Sequence, residues 1–350
     1  MQVVVLAGGV GGSKFVRGVL AALPTAEVTV IGNTADDITV HGLRVCPDLD
    51  TMMYALGGGI STERGWGRDD ETFATITELR SYGVEPTWFG LGDKDLATHL
   101  VRTQLWNAGV SLTDITAALA TRWLPDRVRL LPMTDARVET HVVVADPDAP
   151  SGRRSLHFQE YWVRLHAEPT ALATVQVGIE QARPTQAVRD AVSDADVILV
   201  APSNPVVSIG PILAIPGMRE DLTSAAAPVI GFSGIIGNRP VLGMADKLIP
   251  TLGIDCTAEA VGRHYGFVDD TSFTDDTDDT ERARLLDGWL VDQADADAAA
   301  RLVAEGLPAL ATPLLMTDPE ATARFVRQAI DHFGPGCDVD HPAGQPRQLA

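Results

Sequence analysis

Lysine is almost missing from this chain. Lys14, Lys94 and Lys247 are the only three among 350 residues, and Lys+Arg reach 27 against 47 Asp+Glu, a formal net charge of −20. So acidic a balance disfavours nucleic acid or an anionic membrane as a partner. An anionic ligand would need local help from backbone amides, a few basic side chains or a metal. Cysteine is scarce too. Cys46, Cys256 and Cys337 are odd in number and far apart, which argues against a disulfide framework or a cysteine-based zinc site. No apolar run approaches the roughly 20 residues that cross a bilayer. The first one, Val3–Ala7, is too short for a signal peptide and runs straight into glycines, so a cytoplasmic protein is expected.

Several catalytic signatures are absent as well. His41, His141, His157 and His264 show no metal spacing, and no G-x-S-x-G elbow is present, which makes a serine hydrolase a poor reading. The stretch Leu6-Ala-Gly-Gly-Val-Gly-Gly-Ser13 lacks the Walker A spacing. Counted from Gly9, Gly11 fits a dinucleotide fingerprint, but Lys14 stands where its last glycine belongs.

That stretch is nonetheless the most informative in the chain. Gly8, Gly9, Gly11 and Gly12 sit between a strand over Val3–Ala7 and a helix over Ser13–Leu23, where outward amides and the helix dipole favour an anion such as a phosphate. A tight turn that needs glycine for close packing is the other reading. Val28–Ile31 completes a βαβ unit, and Gly32-Asn-Thr-Ala-Asp-Asp37 follows it at a strand's carboxyl end, where open α/β sheets bind ligands. Asp48 and Asp50 enter a helix in Cys46-Pro-Asp-Leu-Asp-Thr51. One of them could be an N-cap; together with Asp36 and Asp37 they suit a hard divalent cation. Lys94 falls in the first turn of a helix over Asp93–Ala108, an unfavourable place for a cation unless an anion is near. His99, one turn on, reads as a packed core histidine. Ser203 and Asn204 follow a buried strand and could read a base or sugar edge, although Ser-Asn-Pro is also ordinary turn chemistry.

Strand-helix alternation at both ends predicts an α/β, doubly wound (Rossmann-like), mostly parallel sheet. Helices are expected at Thr113–Arg122, capped by Ser111 or Thr113, and at Pro240–Leu252, with a last one opened by Asp318-Pro319. Strands are expected at Val128–Leu131, Glu139–Ala145, Ser155–Val163, Val175–Ile179 and Ala309–Met316. One large domain over 1–330 is expected, with a helical and small β insertion over 93–180 and a flexible tail over 331–350. Asp269–Asp279 reads as an acidic surface loop.

Taken in order over about residues 1–330, several stretches resemble the CofD/FbiA family, whose members make the 5-deazaflavin coenzyme F-420. They are Leu6–Gly12, His41-Gly-Leu-Arg-Val-Cys-Pro-Asp-Leu-Asp-Thr51, Gly65-Trp-Gly67, Leu91-Gly-Asp-Lys-Asp-Leu-Ala-Thr-His99, Ala201-Pro-Ser-Asn-Pro-Val206 and Pro313–Pro319. The resemblance implies a cytoplasmic transferase that takes FO, a deazaflavin with a ribityl chain, and a guanosine diphospho-linked three-carbon acid. The terminal ribityl hydroxyl attacks the phosphorus that bears the acid, and GMP leaves. His157–Val163 and Gly57–Gly59 look closer to the actinobacterial branch, so an enolpyruvyl donor and dehydro-F-420-0 are expected; the archaeal alternative is 2-phospho-L-lactate.

By the same resemblance, Gly8, Gly9, Gly11, Gly12 and Ser13 approach the donor phosphates. Asp50 and Asp37 act in catalysis, Asp36 and Asp50 bind Mg²⁺, and Asn33 and Asp48 join the binding set. Lys94 lies near the deazaflavin, Thr51 near the ribityl chain, and Ser203, Asn204 and Val206 near guanine or ribose. A homodimer is implied by likeness alone. The sequence departs from the pattern at Ala35, where glycine is expected, and at Gly234, where proline is expected. The competing readings are another nucleotidyl or sugar-nucleotide transferase of similar fold and a non-catalytic nucleotide-binding regulator.

Overall fold

The five residues Val3–Ala7 are all buried, the mark of a strand covered on both faces of a parallel sheet. The computed structural model describes residues 1–61, 63–267 and 284–337. The chain begins with β1 (Gln2–Ala7), α1 (Gly9–Ala22) and β2 (Glu27–Gly32), then a hairpin of β3 (Ile38–Val40) and β4 (Leu43–Val45). Four helices follow: α2 (Pro47–Leu56), α3 (Ala74–Ser81), α4 (Asp93–Asn107) and α5 (Leu112–Ala120). Next come β5 (Val128–Pro132), β6 (Glu139–Ala145), β7 (Arg153–His157) and β8 (Ala171–Val177). Alternation resumes with α6 (Gln186–Ser193), β9 (Val197–Val200), α7 (Gly210–Ala214), α8 (Met218–Ser224) and β10 (Val229–Phe232). The rest comprises β11 (Ile235–Ile236), β12 (Arg239–Pro240), α9 (Ala245–Leu248), α10 (Ala258–Gly266), β13 (Gly288–Val291), α11 (Ala296–Ala304), β14 (Ala309–Ala311) and α12 (Pro319–Phe333).

The main sheet has the order β14-β13-β10-β9-β1-β2-β5, and every neighbouring pair is parallel. The chain steps from β1 to β2 and β5 on one side, then returns to β9 on the other. The order therefore reverses between β1 and β9, which opens a crevice at their carboxyl ends. Gly8 follows β1 there, and Pro202–Asn204 follow β9. The expected doubly wound α/β fold is the one observed.

Alternation along β1 divides the interior in two. Val3, Val5 and Ala7 pack with Phe15 and Val16 of α1, Met52 and Met53 of α2 and Phe325 of α12. Val4 and Leu6 belong to the opposite core, with Val142 and Val144 of β6, Val188 of α6 and Ile212 of α7. Each fully buried Val, Leu, Ile, Met or Phe side chain among them contributes about 1.5–3 kcal/mol.

Several sequence expectations need correction. α1 starts at Gly9 rather than Ser13, so the glycines form its first turn instead of a loop before it. β5 pairs with β2 at the edge of the main sheet, which leaves β7-β6-β8 as the separate antiparallel sheet of the middle region. The strand expected over Ser155–Val163 ends at His157 and gives way to a π-helical turn at Glu160–Arg164. The expected strand Val175–Ile179 is the end of β8 followed by a 3₁₀ turn, and the strand at 309–316 stops at Ala311. Pro240–Leu252 is not one helix: Pro250 interrupts the run, and a short α9 passes into a 3₁₀ turn. The helix caps at Ser111 and Asp318 are as expected. Residues 331–333, expected to lie in the tail, belong to α12, which continues to Phe333, whose ring lies against Gly288. Asp269–Asp279 and residues 338–350 lie outside the described residues.

Neither departure from the family pattern disturbs the backbone. Ala35 is fully buried and is not among the residues with positive φ, so glycine is not required there. A Cβ on Gly234 would come within 3.0 Å of the Pro202 carbonyl oxygen, which explains a glycine at that position.

Gly18 sets the spacing of α1 and α12. A Cβ there would lie 2.1 Å from Thr322 Cγ2 and 2.3 Å from Thr322 Cβ. Alanine is worth about 1 kcal/mol over glycine in a helix interior, but overpacking costs about 1–3 kcal/mol, so the clash wins. Gly18→Ala is expected to lower the urea midpoint at unchanged m-value; an unchanged midpoint would show that the two helices can part freely.

Candidate active site

Gly32, the last residue of β2, leaves room for α2 to cross closely: a Cβ there would lie 2.5 Å from Leu49 Cδ2. The next residue, Asn33, is fully buried and ties three segments together. Its Nδ2 donates to Asp48 Oδ2 (2.9 Å) and to the Val207 carbonyl (3.0 Å), while Oδ1 accepts from the Ala35 N–H (3.0 Å). The loop after β2 is thereby pinned to the start of α2 and to the π-helical turn Pro205–Ile209.

Asp36, Asp37, Asp48 and Asp50 are all buried in this region, and two buried guanidinium groups, Arg44 and Arg102, pair with Asp37 and Asp50. Arg44 Nη2 donates to Asp37 Oδ2 at 2.9 Å, and the same oxygen accepts from the Cys46 thiol at 3.0 Å. Arg102 holds Asp50 in a two-pronged pair: Nη1 donates to Oδ2 at 3.0 Å and Nη2 donates to Oδ1. Arg102 Nη1 also lies 3.2 Å from His99 Nδ1, and His99 Nε2 lies 3.4 Å from Asp95 Oδ2. Tyr54 then donates to Asp95 Oδ1 at 2.6 Å. His99 is thus not merely packed in a core; it is part of a charge network between α2 and α4.

Burial sets the protonation of this cluster. It pushes the Asp48 carboxyl up to about 7, against the opposing pull of the Asn33 amide. It pushes Asp37 up to about 6 despite the attraction of Arg44. Asp36 is raised strongly, first by burial and then by the charge of Asp48. Burial also depresses His157, which lies beside the same loop. A carboxylate with a pKa near neutrality can take a proton from a substrate hydroxyl and release it readily.

Asp36 Oδ1 and Asp37 Oδ1 are buried with no hydrogen-bond partner. Orphaned carboxylate oxygens are what a hard divalent cation takes. Among the described residues, however, no three His, Cys, Asp or Glu side chains are grouped to hold an ion by themselves. Asp36 Oδ1 or Asp37 Oδ1 could serve as a single carboxylate ligand to an ion such as Mg²⁺, which typically takes one or two carboxylates and completes its shell with substrate phosphates and water.

The glycine turn is packed more tightly than an open cradle. A Cβ on Gly8 would come within 2.6 Å of Asp48 Oδ2, and one on Gly12 within 2.9 Å of Ser203 Oγ. Close packing thus accounts for those two glycines. Gly9 takes φ +62°, and Gly11 is half-buried with nothing nearer to its Cβ position than the Pro202 carbonyl at 3.6 Å. Across the crevice, Ser203 Oγ donates to the Gly8 carbonyl at 2.9 Å and joins the ends of β1 and β9.

A sequence profile described as 2-phospho-L-lactate transferase CofD matches residues 3–311. The chain belongs to the CofD family. It is 56% identical over 330 residues to a phosphoenolpyruvate transferase of Streptomyces coelicolor, an alignment that covers 94% of this chain and 97% of that protein. Like-named proteins of Nocardia farcinica and Mycobacterium avium are each 50% identical, covering 95% of this chain and 95% and 99% of theirs. The fold is also similar to that of protein BH3568 from Bacillus halodurans, with a TM-score of 0.58 and 16% identity over 95% of this chain and 99% of that one.

The residues singled out by CofD resemblance fall into distinct settings. Asn33, Asp36, Asp37, Asp48 and Asp50 converge at the carboxyl end of β2, with Gly8 and Gly9 beside Asp48. Thr51 is half-buried on α2. Neither Asp48 nor Asp50 caps α2, whose N-cap is Cys46. Ser13 is buried and donates to the Val10 carbonyl, and Val206 is buried in the core. Asn204 Oδ1 accepts from the Val206 and Val207 N–H groups, so ordinary turn chemistry accounts for that oxygen. Lys94 is exposed, with Nζ donating to the Asp69 carbonyl at 3.1 Å. The anion beside its helix end is Glu71, whose carboxylate accepts from the Lys94 and Asp95 N–H groups. Two surface hollows of about 270 and 300 Å³ lie elsewhere: one at the amino ends of β1 and β2, lined by Gln2, Thr29 and Arg129, the other between α6 and α8.

Sequence reasoning missed Arg44, Arg102 and Glu71. Arg102 carried a signal: Asp95, His99 and Arg102 are spaced i, i+4, i+7 and so share one face of α4.

Two outcomes are expected. Removing either member of the Asp50–Arg102 pair leaves a buried charge alone, so Arg102→Met and Asp50→Asn should each cost about 3–5 kcal/mol, and the double variant less than their sum. Denaturant titrations of the three variants measure this. Second, Asp37 and Asp48 bind protons more tightly when folded than at the ordinary carboxylate value near 4. Stability should therefore fall as pH rises from about 4 through 7, and Asp48→Asn should flatten the fall. Melting temperatures across that range, without added divalent ions, test it.

Proposed function

We propose that this protein transfers the phosphoenolpyruvyl group of enolpyruvoyl-2-diphospho-5′-guanosine to the ribityl hydroxyl of FO (7,8-didemethyl-8-hydroxy-5-deazariboflavin), giving dehydro-F-420-0 and GMP. The observation that carries the reading is the 50–56% identity to phosphoenolpyruvate transferases over nearly the whole chain. In this reading the protein acts in the cytoplasm as a homodimer. Among the described residues, no helix is long and apolar enough to cross a membrane.

The ribityl oxygen forms a bond to the phosphorus that carries the enolpyruvyl group, and the bond from that phosphorus to the GMP oxygen breaks. Asp37, poised near neutrality, accepts the hydroxyl proton. Transfer of this kind rests on positioning and charge neutralisation more than on a covalent nucleophile. Mg²⁺, when bound, supplies that neutralisation at the donor's phosphates. Asp36 would hold it through its unpartnered oxygen, which leaves Asp37 Oδ1 for the proton, and Asp50 would join Asp36 only by releasing Arg102. Gly9 and Gly11 present the first turn of α1 to the donor, Thr51 meets the ribityl chain and Lys94 the deazaflavin. A pure nucleotide binder gains nothing from buried unpaired carboxylates, which speaks against the regulator.

A transfer assay with FO, Mg²⁺ and each guanosine-linked donor, read by mass spectrometry, should give dehydro-F-420-0 and GMP. The saturated lactyl product instead would move the protein to the 2-phospho-L-lactate chemistry. Gly11→Val should raise the donor KM about tenfold and leave the FO KM unchanged, and an equal loss for both would make the glycine turn purely structural.

A further inference from the structure

The antiparallel sheet β7-β6-β8 touches the acidic loop in one specific way. Three consecutive carbonyls of that loop are each held from this sheet or from the residues that follow it. The Thr140 N–H of β6 donates to the Ala35 carbonyl at 2.6 Å. Gln159 Nε2 donates to the Asp36 carbonyl at 3.4 Å. His157 Nε2 lies 3.1 Å from the Asp37 carbonyl, and His157 Nδ1 accepts from the Gln159 N–H at 3.1 Å. The bond to Nδ1 fixes the tautomer: Nε2 carries the hydrogen and donates it. Gln159 is buried and His157 half-buried, and they stand 120 or more positions from the carbonyls they hold.

We infer that His157 and Gln159 are positioning residues for the transfer reaction, fixing the backbone of Asp36 and Asp37 so that both carboxylates face the donor's phosphates. The inference rests on the transferase reading of the same site. Backbone atoms are the right handle for such a task. A bond to a carboxylate oxygen would consume the oxygen that the reaction needs, whereas a bond to the carbonyl aims the side chain and leaves Asp36 Oδ1 and Asp37 Oδ1 without a partner.

His157→Leu and Gln159→Leu test the idea, with His157→Gln as a variant that can restore the donated bond. His157→Leu should lower kcat/KM for the donor about tenfold, the scale of one lost buried hydrogen bond, with the FO KM unchanged. His157→Gln should recover to within about threefold of the parent. A Leu variant with parental donor kinetics would overturn the proposal. So would an equal loss for FO and donor with a lowered melting temperature, since that is what a general structural role predicts. Amide hydrogen exchange of the peptide over residues 33–38, on enzyme without substrates, gives a readout that needs no turnover. His157→Leu should speed exchange there and leave β1 unchanged; equal rates would sink the inference. If the parent protein makes no product from any donor, the transferase reading fails, and the exchange result still decides whether the clamp exists.

Discussion

Four buried carboxylates face two buried guanidinium groups, and that imbalance governs the rest of the site. Asp37 and Asp50 have Arg44 and Arg102 as partners; Asp36 and Asp48 have an amide and a helix end. Burial raises the proton affinities of Asp36, Asp37 and Asp48, and the charge of neighbouring carboxylates adds to the rise. The imbalance is also the electrostatic condition under which a divalent ion with phosphate oxygens is welcome. The fold supplies the location, because the reversal of strand order between β1 and β9 leaves a crevice at the carboxyl ends. The pinning of the loop by Asn33 keeps the carboxylates together.

Much of the architecture was legible in the sequence. The βαβ start, the buried strand that precedes Ser203 and the capped final helix all appear as expected, because apolar runs and cap residues act locally. The middle was harder to read. β5 looks like one more strand of an insertion until its pairing partner is known, and pairing over 100 residues of chain leaves no local trace. The strand after β7 failed for a different reason: Phe158, Tyr161 and Trp162 have strand-like composition, yet the chain turns at Glu160–Arg164.

The site was half legible. Asp36, Asp37, Asp48 and Asp50 were identifiable by their places after a strand and at a helix start. Their partners were not, since Arg44 and Arg102 are ordinary residues until burial makes them counter-ions. The glycine turn shows the reverse case. Its position points to a ligand, but Gly8 and Gly12 are required first by Asp48 and Ser203 of the protein itself.

Helix α4 is an inverted amphipathic helix. Its inner face carries His99 and Arg102, both fully buried, while Leu100 and Val101 look outward to solvent. Such a helix is held by buried charge pairing as well as by the apolar contacts of Leu96 and Trp106. Its pairs lie beyond the reach of salt, which screens exposed charges far more than buried ones. Its docking should therefore tolerate ionic strength and polar substitution at Leu100, yet fail on loss of a single charge within.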